Sequence, residues 1–307
     1  MDVGLCMVVK DEARQIVDCL KPIHDIFAQT VVVDTGSTDA TPELLAEHFG
    51  ISVLRRTISE ARCGCLCDAR NDALALMKTP WVMFLDADER LARSDVEQLL
   101  AMADDPSQAG YFGRWVNHIP GEPSFEDYKL FLFRSSLRLV GLVHDVVQTD
   151  IRTRGLSAAW LDSLSVMHFP DPQRRALKAA RYRQRLRCAI AQDPHFHRYH
   201  WFLGYTEFLA GNWQDAAQHL GVAADACSTR FPVECLNSAM VLAELNARTG
   251  ERSALERALG RAIAFHEEVA GDFEVAINFR LGPWLHEARK NCRDGRLDQI
   301  RAYRFAC

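Results

Sequence analysis

Two aspartates separated by one residue follow a short apolar run in the segment WVMFLDADERL. Asp86 and Asp88 stand at the end of a predicted buried strand, where carboxylates are costly unless a cation meets them. Two carboxylates at this spacing can share one divalent ion that neutralises a diphosphate, which favours Mg²⁺ or Mn²⁺ over zinc. Acidic pairs also cap helices, so the position directly after a strand is what favours a metal site here.

A third carboxylate, Asp34, follows another apolar run in the segment VVVDTGSTDAT. The carboxyl end of a parallel strand is the edge at which open α/β sheets bind ligands. The fingerprint G-x-G-x-x-G is absent, which disfavours a nicotinamide-binding Rossmann domain, although one carboxylate there can still bond a ribose or a base. A capped turn between strand and helix is the alternative interpretation.

The elements that must position these carboxylates alternate between β-branched runs and helical stretches, including a helix over about residues 12–26. Buried parallel strands are predicted at residues 3–9, 31–33, 51–54 and 81–85. Strands of a mixed or antiparallel edge are predicted around residues 111–116, 130–133 and 165–169. The pattern predicts an α/β fold with a doubly wound mixed sheet.

A change of pattern at the segment HFPDP, residues 168–172, divides the chain. Beyond these prolines almost every stretch has helical periodicity, so we predict domains at residues 1–170 and 171–307. Tetratricopeptide offsets are matched by Leu203, Gly204, Gly211, Ala216, Leu220 and Ala223. A looser second copy runs through residues 242–262, which predicts an all-α helical-repeat domain.

The composition is that of a folded globular chain, with 48% apolar and 25% charged residues among 307. A formal charge of −5 gives no overall basic field and argues against nucleic acid as a partner. The 10 cysteines show no framework of spaced pairs, and the start MDVGLCMVVKDE lacks a basic region and a long apolar run. We therefore expect a reduced, cytoplasmic protein.

Five motifs in order carry a resemblance to a known family: CMVVKDE, VVVDTGSTDAT, ARNDAL, FLDADERL and GLVHD. Their order and spacing resemble the family 2 glycosyltransferases of GT-A fold, in particular the bacterial subgroup with tetratricopeptide repeats behind the catalytic domain. The resemblance covers about residues 3–170 closely and the repeat region loosely. It implies Mn²⁺- or Mg²⁺-dependent, inverting transfer from a nucleotide sugar, UDP-linked, to a protein or peptide side chain or a lipopolysaccharide-type glycan.

The resemblance also implies roles for residues that bind the donor. Glu12 and Asp34 would line the nucleoside pocket, with Asp34 contacting the base or ribose. Arg70, in the ARN motif, would lie near the nucleotide and its phosphates, where a planar cation makes paired hydrogen bonds. Asp86 would contact the ribose or the metal.

In the same way, the resemblance makes Asp88 the principal metal ligand and His144 a further contact of the metal or diphosphate. Asp145 becomes the candidate catalytic base, which removes the proton of the acceptor. Relatives commonly carry Glu at this position, and a structural Asp bonded to nearby backbone is the alternative. The next candidates for the base are Asp127 and Glu126, in the segment PSFEDYK.

Two further clusters could suggest a metal, namely the cysteines Cys63, Cys65 and Cys67 and the histidines His195, His197 and His200. The cysteines lack the C-x₂₋₄-C spacing of zinc sites and a fourth ligand, so a structural role is favoured. The histidines have no carboxylate or cysteine at matching spacing, which favours packing or a polar acceptor groove.

The strongest basic stretch runs from Arg174 to Arg187 without an acidic residue. It fits a solvated helix face or, alternatively, a contact with an anionic acceptor or a membrane surface. It has Tyr182 as its one aromatic for stacking, so nucleic acid is disfavoured.

Two other functions compete with glycosyl transfer. A nucleotidyltransferase uses a similar fold with acidic metal ligands, but Lys10 and Asp11 stand where its Gly-rich, basic loop is expected. The second is a repeat scaffold with a degenerate catalytic domain, against which the intact Asp34, Arg70 and Asp86 argue.

Overall fold

The computed structural model describes residues 1–59, 62–102, 104–144 and 146–305, with the backbone alone for residues 172–179. The chain divides into two compact units, Met1–Ala179 and Ala180–Cys307. The division falls inside one helix, and the predicted boundary between residues 170 and 171 lies just before that helix begins.

The first unit is built on eight strands, β1 (Val3–Val9), β2 (Gln29–Asp34), β3 (Leu54–Arg55), β4 (Trp81–Phe84), β5 (Glu89–Leu91), β6 (Gln108–Asn117), β7 (Phe125–Arg134) and β8 (Ser157–His168). They form one sheet in the order β3-β2-β1-β4-β7-β6-β8-β5. The first four strands are mutually parallel, β7 is antiparallel to β4 and β6, and β6 is parallel to β8. The predicted mixed α/β sheet is confirmed.

Five helices of this unit are α1 (Ile16–Leu20), α2 (Thr41–Phe49), α3 (Cys67–Ala75), α4 (Arg93–Ala101) and α5 (Gln148–Thr153). The first is much shorter than the predicted helix over residues 12–26. Pro22 has no amide hydrogen to donate, and the helix ends just before it. Short strand β5 was not predicted, and the predicted third strand is reduced to the two residues of β3.

Side chains along β1 alternate between the two faces of the sheet, and helices pack on both faces. Val3, Leu5 and Met7 join the main core cluster with Ile16 and Leu45 of α1 and α2. The intervening residues face the other side, where helix α3 packs on β1 and β2. Because β1, β2 and β4 are parallel, their carboxyl ends open at one edge of the sheet.

The second unit is helical. Its helices are the rest of α6 (Pro172–Gln192), then α7 (His197–Leu209), α8 (Trp213–Asp225), α9 (Pro232–Thr249), α10 (Arg252–Glu268), α11 (Phe273–Ile277) and α12 (Leu281–Arg293), with a 3-10 turn at Leu297–Gln299. Consecutive helices pack as hairpins, α7 with α8 and α9 with α10. Gly211 and Gly250 take positive φ values of 78° and 76° in the two connecting turns, where glycine has no steric penalty.

Close approach of α7 and α8 depends on Gly204. A Cβ built there would lie 2.8 Å from Leu220 Cγ and 2.9 Å from the Leu220 backbone nitrogen. The helical half of the predicted fold is therefore present. Among the described residues, no helix combines the length and the apolar character needed to cross a bilayer.

Candidate active site at the carboxyl edge of the sheet

Asp34 ends β2 with its side chain 1% exposed. Its Oδ1 accepts hydrogen bonds from the Ser37 amide at 3.0 Å and the Ser37 hydroxyl at 2.5 Å. Gly36, at φ 101°, provides the left-handed turn that brings Ser37 back onto the carboxylate. Among the described residues, Asp34 Oδ2 is buried and has no hydrogen-bond donor, and Arg55 Nε lies 4.0 Å from it. A buried carboxylate oxygen in this state is a ready acceptor for a ligand hydroxyl or amide.

The loop after β1 is tied to the loop after β2. Asp11, at φ 55°, donates its amide to Ser37 Oγ at 2.9 Å, and its carboxylate accepts the Thr38 amide at 2.7 Å. The Glu12 amide donates to Thr41 Oγ1 at 2.7 Å. These bonds place Glu12, which is half-buried, in the loop that faces the Asp34 turn. The two predicted nucleoside residues therefore belong to one cross-linked pair of loops.

Asp86 follows β4 and is met by two cations. Lys129 Nζ, from β7, donates to its Oδ2 at 2.9 Å, and Arg70 NH2, from α3, lies 3.8 Å from its Oδ1. Partial burial alone would raise the pKa of Asp86, but Lys129 and Arg70 lower it well below its ordinary value. Asp86 is therefore a fixed negative charge with Arg70 beside it, and the expected contact of Arg70 with the nucleotide stays a prediction.

Glu89 is a residue of this turn to which the sequence interpretation gave no role. It is fully buried, its Oε2 accepts the Asp86 amide at 2.8 Å, and its Oε1 accepts Lys129 Nζ at 2.7 Å. Burial raises the pKa of Glu89 above its ordinary value. The Lys129 side chain, also missed, lies over the rings of Trp115 and Phe131 at 5.2 and 5.1 Å. Glu89 and Lys129 together fix the turn that carries Asp86 and Asp88.

Asp88 faces a histidine that the sequence interpretation used only as part of the boundary segment. His168 Nε2, at the end of β8, lies 3.5 Å from Asp88 Oδ2. The other ring nitrogen, Nδ1, is 2.7 Å from Asn117 Oδ1, and Trp115 stacks on the ring at 4.8 Å. When Nδ1 donates to the amide oxygen, Nε2 presents its lone pair toward Asp88, the arrangement usual for a metal-binding imidazole.

The GLVHD segment and the residues just before it are held by Cys65 and by the first turns of α3. The thiol of Cys65 donates to the Gly141 carbonyl at 3.2 Å, and that of Cys67 donates to the Leu139 carbonyl at 3.0 Å. Asn71 adds two bonds to the Leu139 backbone, both at 2.9 Å. The structural role expected for these two cysteines thus consists of supporting this loop.

Within that loop, His144 is half-buried and has a positive φ of 53°. Asp145, the predicted base, lies outside the described residues. The alternatives lie on β7: Glu126 pairs with Arg114 at 3.4 Å, and Asp127 accepts the Tyr128 amide at 2.8 Å. Cys63, the remaining cysteine of that cluster, is disulfide-bonded.

The histidine cluster belongs to the helical unit. His200 Nδ1 lies 3.0 Å from His219 Nδ1 and its Nε2 lies 3.1 Å from the Pro194 carbonyl, while the His197 ring lies 5.9 Å from that of Phe231. Burial lowers the pKa of His197 and His200, so these rings are neutral packing groups. Across the described ranges, no group of three or more His, Cys, Asp or Glu side chains is arranged to hold a metal.

Two arginines of the basic stretch from Arg174 to Arg187 form ion pairs inside the helical unit. Arg183 and Arg187 pair with Glu207 at 3.5 and 3.1 Å, and the Glu207 side chain is 1% exposed. Two of the arginines thus neutralise a buried carboxylate. A contact of the remaining basic residues with a membrane or an anionic acceptor stays a prediction.

Comparison with known proteins gives a family for the first unit. Residues 5–157 match the family model described as glycosyl transferase family 2. The chain is 29% identical over 150 residues to a TPR repeat-containing protein of Synechococcus elongatus, covering 48% of this chain and 36% of that protein. It is 27% identical over 116 residues to an uncharacterized protein of Methanocaldococcus jannaschii, covering 36% and 51%. It thus spans about a third and about half of the lengths of these relatives.

Solved structures include two similar chains. Staphylococcus aureus TarS 1–349 has 14% identity and a TM-score of 0.47, with 100% of this chain and 94% of that chain covered. Glucosyl-3-phosphoglycerate synthase from Mycobacterium tuberculosis, in complex with Mn²⁺ and UDP-glucose, has 15% identity and a TM-score of 0.41, with 60% and 76% covered.

Proposed function

Since this chain belongs to glycosyl transferase family 2, we propose that it transfers a sugar from a UDP-linked donor to a protein side chain or a lipopolysaccharide-type glycan. The reaction is a single displacement at the anomeric carbon with inversion, and it depends on Mn²⁺ or Mg²⁺. The family match favours glycosyl transfer over nucleotidyl transfer, and the intact Asp34, Arg70, Asp86 and Asp88 argue against a degenerate scaffold.

The observation that carries the proposal is the buried Oδ2 of Asp34, which has no donor of its own. Ser37 satisfies the other oxygen, so the carboxylate is held in one orientation and keeps one acceptor for a ligand. A ribose hydroxyl or a uracil N–H would complete it, and both belong to a UDP-linked donor. Glu12, in the loop bonded to the same turn, lies on the nucleoside side of the site.

Arg70 and Lys129 supply positive charge next to Asp86. The guanidinium of Arg70 is 22% exposed and suits a diphosphate oxygen, because its planar donors bind phosphate in pairs. Lys129 holds Asp86 and Glu89 and thereby keeps the Asp86–Asp88 turn rigid. Asp86 keeps one oxygen for the ribose or the metal, as the resemblance implies.

A divalent metal fits the Asp88 end of this turn. Asp88 Oδ2 and His168 Nε2 are 3.5 Å apart, each side chain is at least 17% exposed, and Asn117 orients the imidazole. Oxygen and neutral imidazole ligands suit Mn²⁺. Asp88 and His168 would hold the ion, with His144 from the GLVHD loop as the predicted further contact. When bound, the metal supplies charge stabilisation for the departing diphosphate.

The acceptor proton goes to a carboxylate of the GLVHD motif. Asp145 is the proposed base, since the resemblance places a carboxylate after His144 at this position. A base is needed only as the acceptor oxygen attacks, so its loss affects transfer rather than donor binding. The helical unit, with its tetratricopeptide-like hairpins, would hold the acceptor.

The test uses the purified full chain with UDP-sugars and Mn²⁺. Turnover is followed as UDP release, and donor affinity is measured for each variant. Asp34→Asn should weaken donor binding about tenfold or more, because one acceptor of a fixed pair becomes a donor. The matched control is Asp25→Asn, a half-exposed carboxylate paired with Arg93 on the surface. Equal donor affinity in Asp34→Asn and Asp25→Asn would refute the nucleoside role of Asp34.

A further inference from the structure

Residues 86–89 lead from β4 into β5 and carry both aspartates of the D-x-D pair. We call them the acidic turn. All four of its carbonyl oxygens accept hydrogen bonds. Two of these bonds come from backbone amides: the Asp86 carbonyl accepts the Glu89 amide at 3.0 Å, and the Asp88 carbonyl accepts the Phe169 amide at 2.8 Å. The other two come from a side chain, so the main chain alone fixes only half of the turn.

Arg90 supplies the two remaining bonds. Its Nη1 donates to the Ala87 carbonyl and to the Glu89 carbonyl, both at 2.8 Å. Its Nη2 donates to Gln15 Oε1 at 3.3 Å. Because Ala87 is only 4% exposed, its carbonyl has little access to water and is costly to leave without a donor. One guanidinium thus holds both the residue between the two aspartates and the residue after them.

The same guanidinium joins the acidic turn to the loop after β1. Gln15 donates its amide to the Glu12 carbonyl at 2.9 Å. Glu12 in turn donates its amide to Thr41 Oγ1, which belongs to the cross-linked loops around the Asp34 turn. A continuous series of hydrogen bonds therefore runs from the acidic turn to the loop that carries the predicted nucleoside residue Glu12.

We propose that Arg90 is a positioning residue of the site for the sugar donor. It acts through the backbone, because it holds the acidic turn so that Asp86 and Asp88 present their carboxylates in one orientation. Loss of Arg90 lowers the affinity for a divalent cation, since the outer partners of metal ligands fix the orientation of those ligands. This inference rests on the proposed function, in which Asp88 holds the metal and Asp86 contacts the metal or the ribose.

The charge of Arg90 and its shape predict opposite effects on the metal. A positive charge bonded to the residue between two aspartates repels a cation, so charge alone predicts that Arg90→Met tightens metal binding. Positioning predicts weaker binding. Arg90→Lys keeps the charge but replaces a planar fork of donors by a single nitrogen, which cannot bond two carbonyls and Gln15 in the same geometry. Charge alone predicts no change in Arg90→Lys, whereas positioning again predicts weaker binding.

The experiment measures the Mn²⁺ affinity of the folded full chain by calorimetry for the wild type, Arg90→Lys and Arg90→Met. Both variants should bind Mn²⁺ about tenfold more weakly. The matched control is Arg93→Met, which also removes a positive charge, from a side chain that pairs with Asp25 and Glu97 and is 44% exposed. It should leave Mn²⁺ affinity unchanged. Wild-type affinity in Arg90→Lys, or tighter binding in Arg90→Met, overturns the proposal.

A second measurement needs neither metal nor sugar donor. In the ¹⁵N-labelled chain, the Asp86 amide bonds Glu89 Oε2 and the Glu89 amide bonds the Asp86 carbonyl. Arg90→Lys should accelerate hydrogen exchange of these two amides about tenfold relative to the amide of the buried Leu5 in β1, because the acidic turn opens more often. Exchange at the wild-type rate contradicts the positioning role. Faster exchange in a chain that binds no Mn²⁺ supports this role and refutes the proposed metal dependence instead.

Gln15→Leu decides the question if neither Arg90 variant folds. This change removes one of the three bonds of the guanidinium and leaves Arg90 in place. It should weaken Mn²⁺ binding about threefold, as expected for the loss of one hydrogen bond that orients the group. Unchanged affinity in folded Gln15→Leu contradicts the proposal.

Discussion

The carboxyl edge of the sheet and the part of the helical unit that packs against residues 300–305 hold polar atoms in opposite states. At the sheet edge, Asp34 keeps a buried oxygen without a donor among the described residues, and Asp88 and His168 face each other with no hydrogen bond between them. In the helical unit, Tyr205 and Glu244 bond the main chain of Phe305 and Ala302. The first region keeps an acceptor for the proposed ligand, whereas the second is already filled by the chain itself. Loss of a charge should therefore damage ligand binding at the first, and loss of packing should lower stability at the second.

The largest effect is expected from Asp88→Asn, which is nearly isosteric. Removing a ligand charge from the pair with His168 should lower metal-dependent turnover about 1000-fold, because the leaving diphosphate is less neutralised. UDP release at saturating Mn²⁺ measures the loss, and far-UV circular dichroism checks the fold. Asp86→Asn should weaken donor binding as well. Turnover near the wild-type rate in Asp88→Asn contradicts the assignment.

Asp145→Asn should lower sugar transfer about 100-fold while donor affinity stays within a few-fold, since a base acts only when the acceptor is deprotonated. His144→Ala should instead weaken Mn²⁺-dependent donor binding. Calorimetry and transfer assays on both variants separate the two roles. If Asp145→Asn transfers sugar at nearly the normal rate, Asp127 and Glu126 are the next variants to make.

Lys129→Met should destabilise the first unit by about 2 kcal/mol, because it leaves Asp86 and the buried Glu89 without their shared cation. The free energy of unfolding in urea measures this loss. Adding Glu89→Gln should recover part of it, since one of the two stranded charges is removed. Full stability in Lys129→Met would show that the lysine is not the counterion of this turn.

Smaller effects on turnover than any above are expected from a pair of glycine substitutions in the helical unit, which should change its stability with opposite signs. Gly204→Ala should cost about 1 to 3 kcal/mol, because its new Cβ meets the backbone of Leu220. Gly221→Ala, in α8, should stabilise the unit by about 1 kcal/mol, because a Cβ built at Gly221 meets no other atom. Thermal melts of the two variants test the packing. Melting temperatures that shift in the same direction would contradict the close approach of α7 and α8.

The sequence predicted strands β1, β2 and β4 because each is a continuous apolar run, and a carboxylate stands at the end of the runs of β2 and β4. Asp34, Asp86 and Arg70 lie at the same edge for that reason, and the last two are in contact. For the antiparallel half, the sequence predicted the strands but not which strands pair with one another. Periodicity identifies a strand but gives neither its neighbour nor its register.

The residues that were missed all depend on that unknown register. Lys129 and His168 lie about 40 and 80 residues beyond the aspartates they meet, and they arrive through the pairing of β7 with β4 and of β8 with β5. Glu89 was visible as the last acid of the DADE run, but its complete burial follows only from the three-residue strand β5. A lone lysine in the β7 pattern and a histidine ending the β8 pattern were the available signals.

The sheet also fixes the distance between the two ends of the proposed donor site. Asp34 and the Asp86 turn end the two strands that flank β1, so they are separated by two inter-strand spacings, about 10 Å. Their levels along the sheet are set by the register, in which Asp34 pairs with Val9 and Phe84 pairs with Cys6. Backbone hydrogen bonds fix this length. Side-chain substitutions can therefore change what each end of the site holds, but the distance between the ends changes only if the strands themselves move.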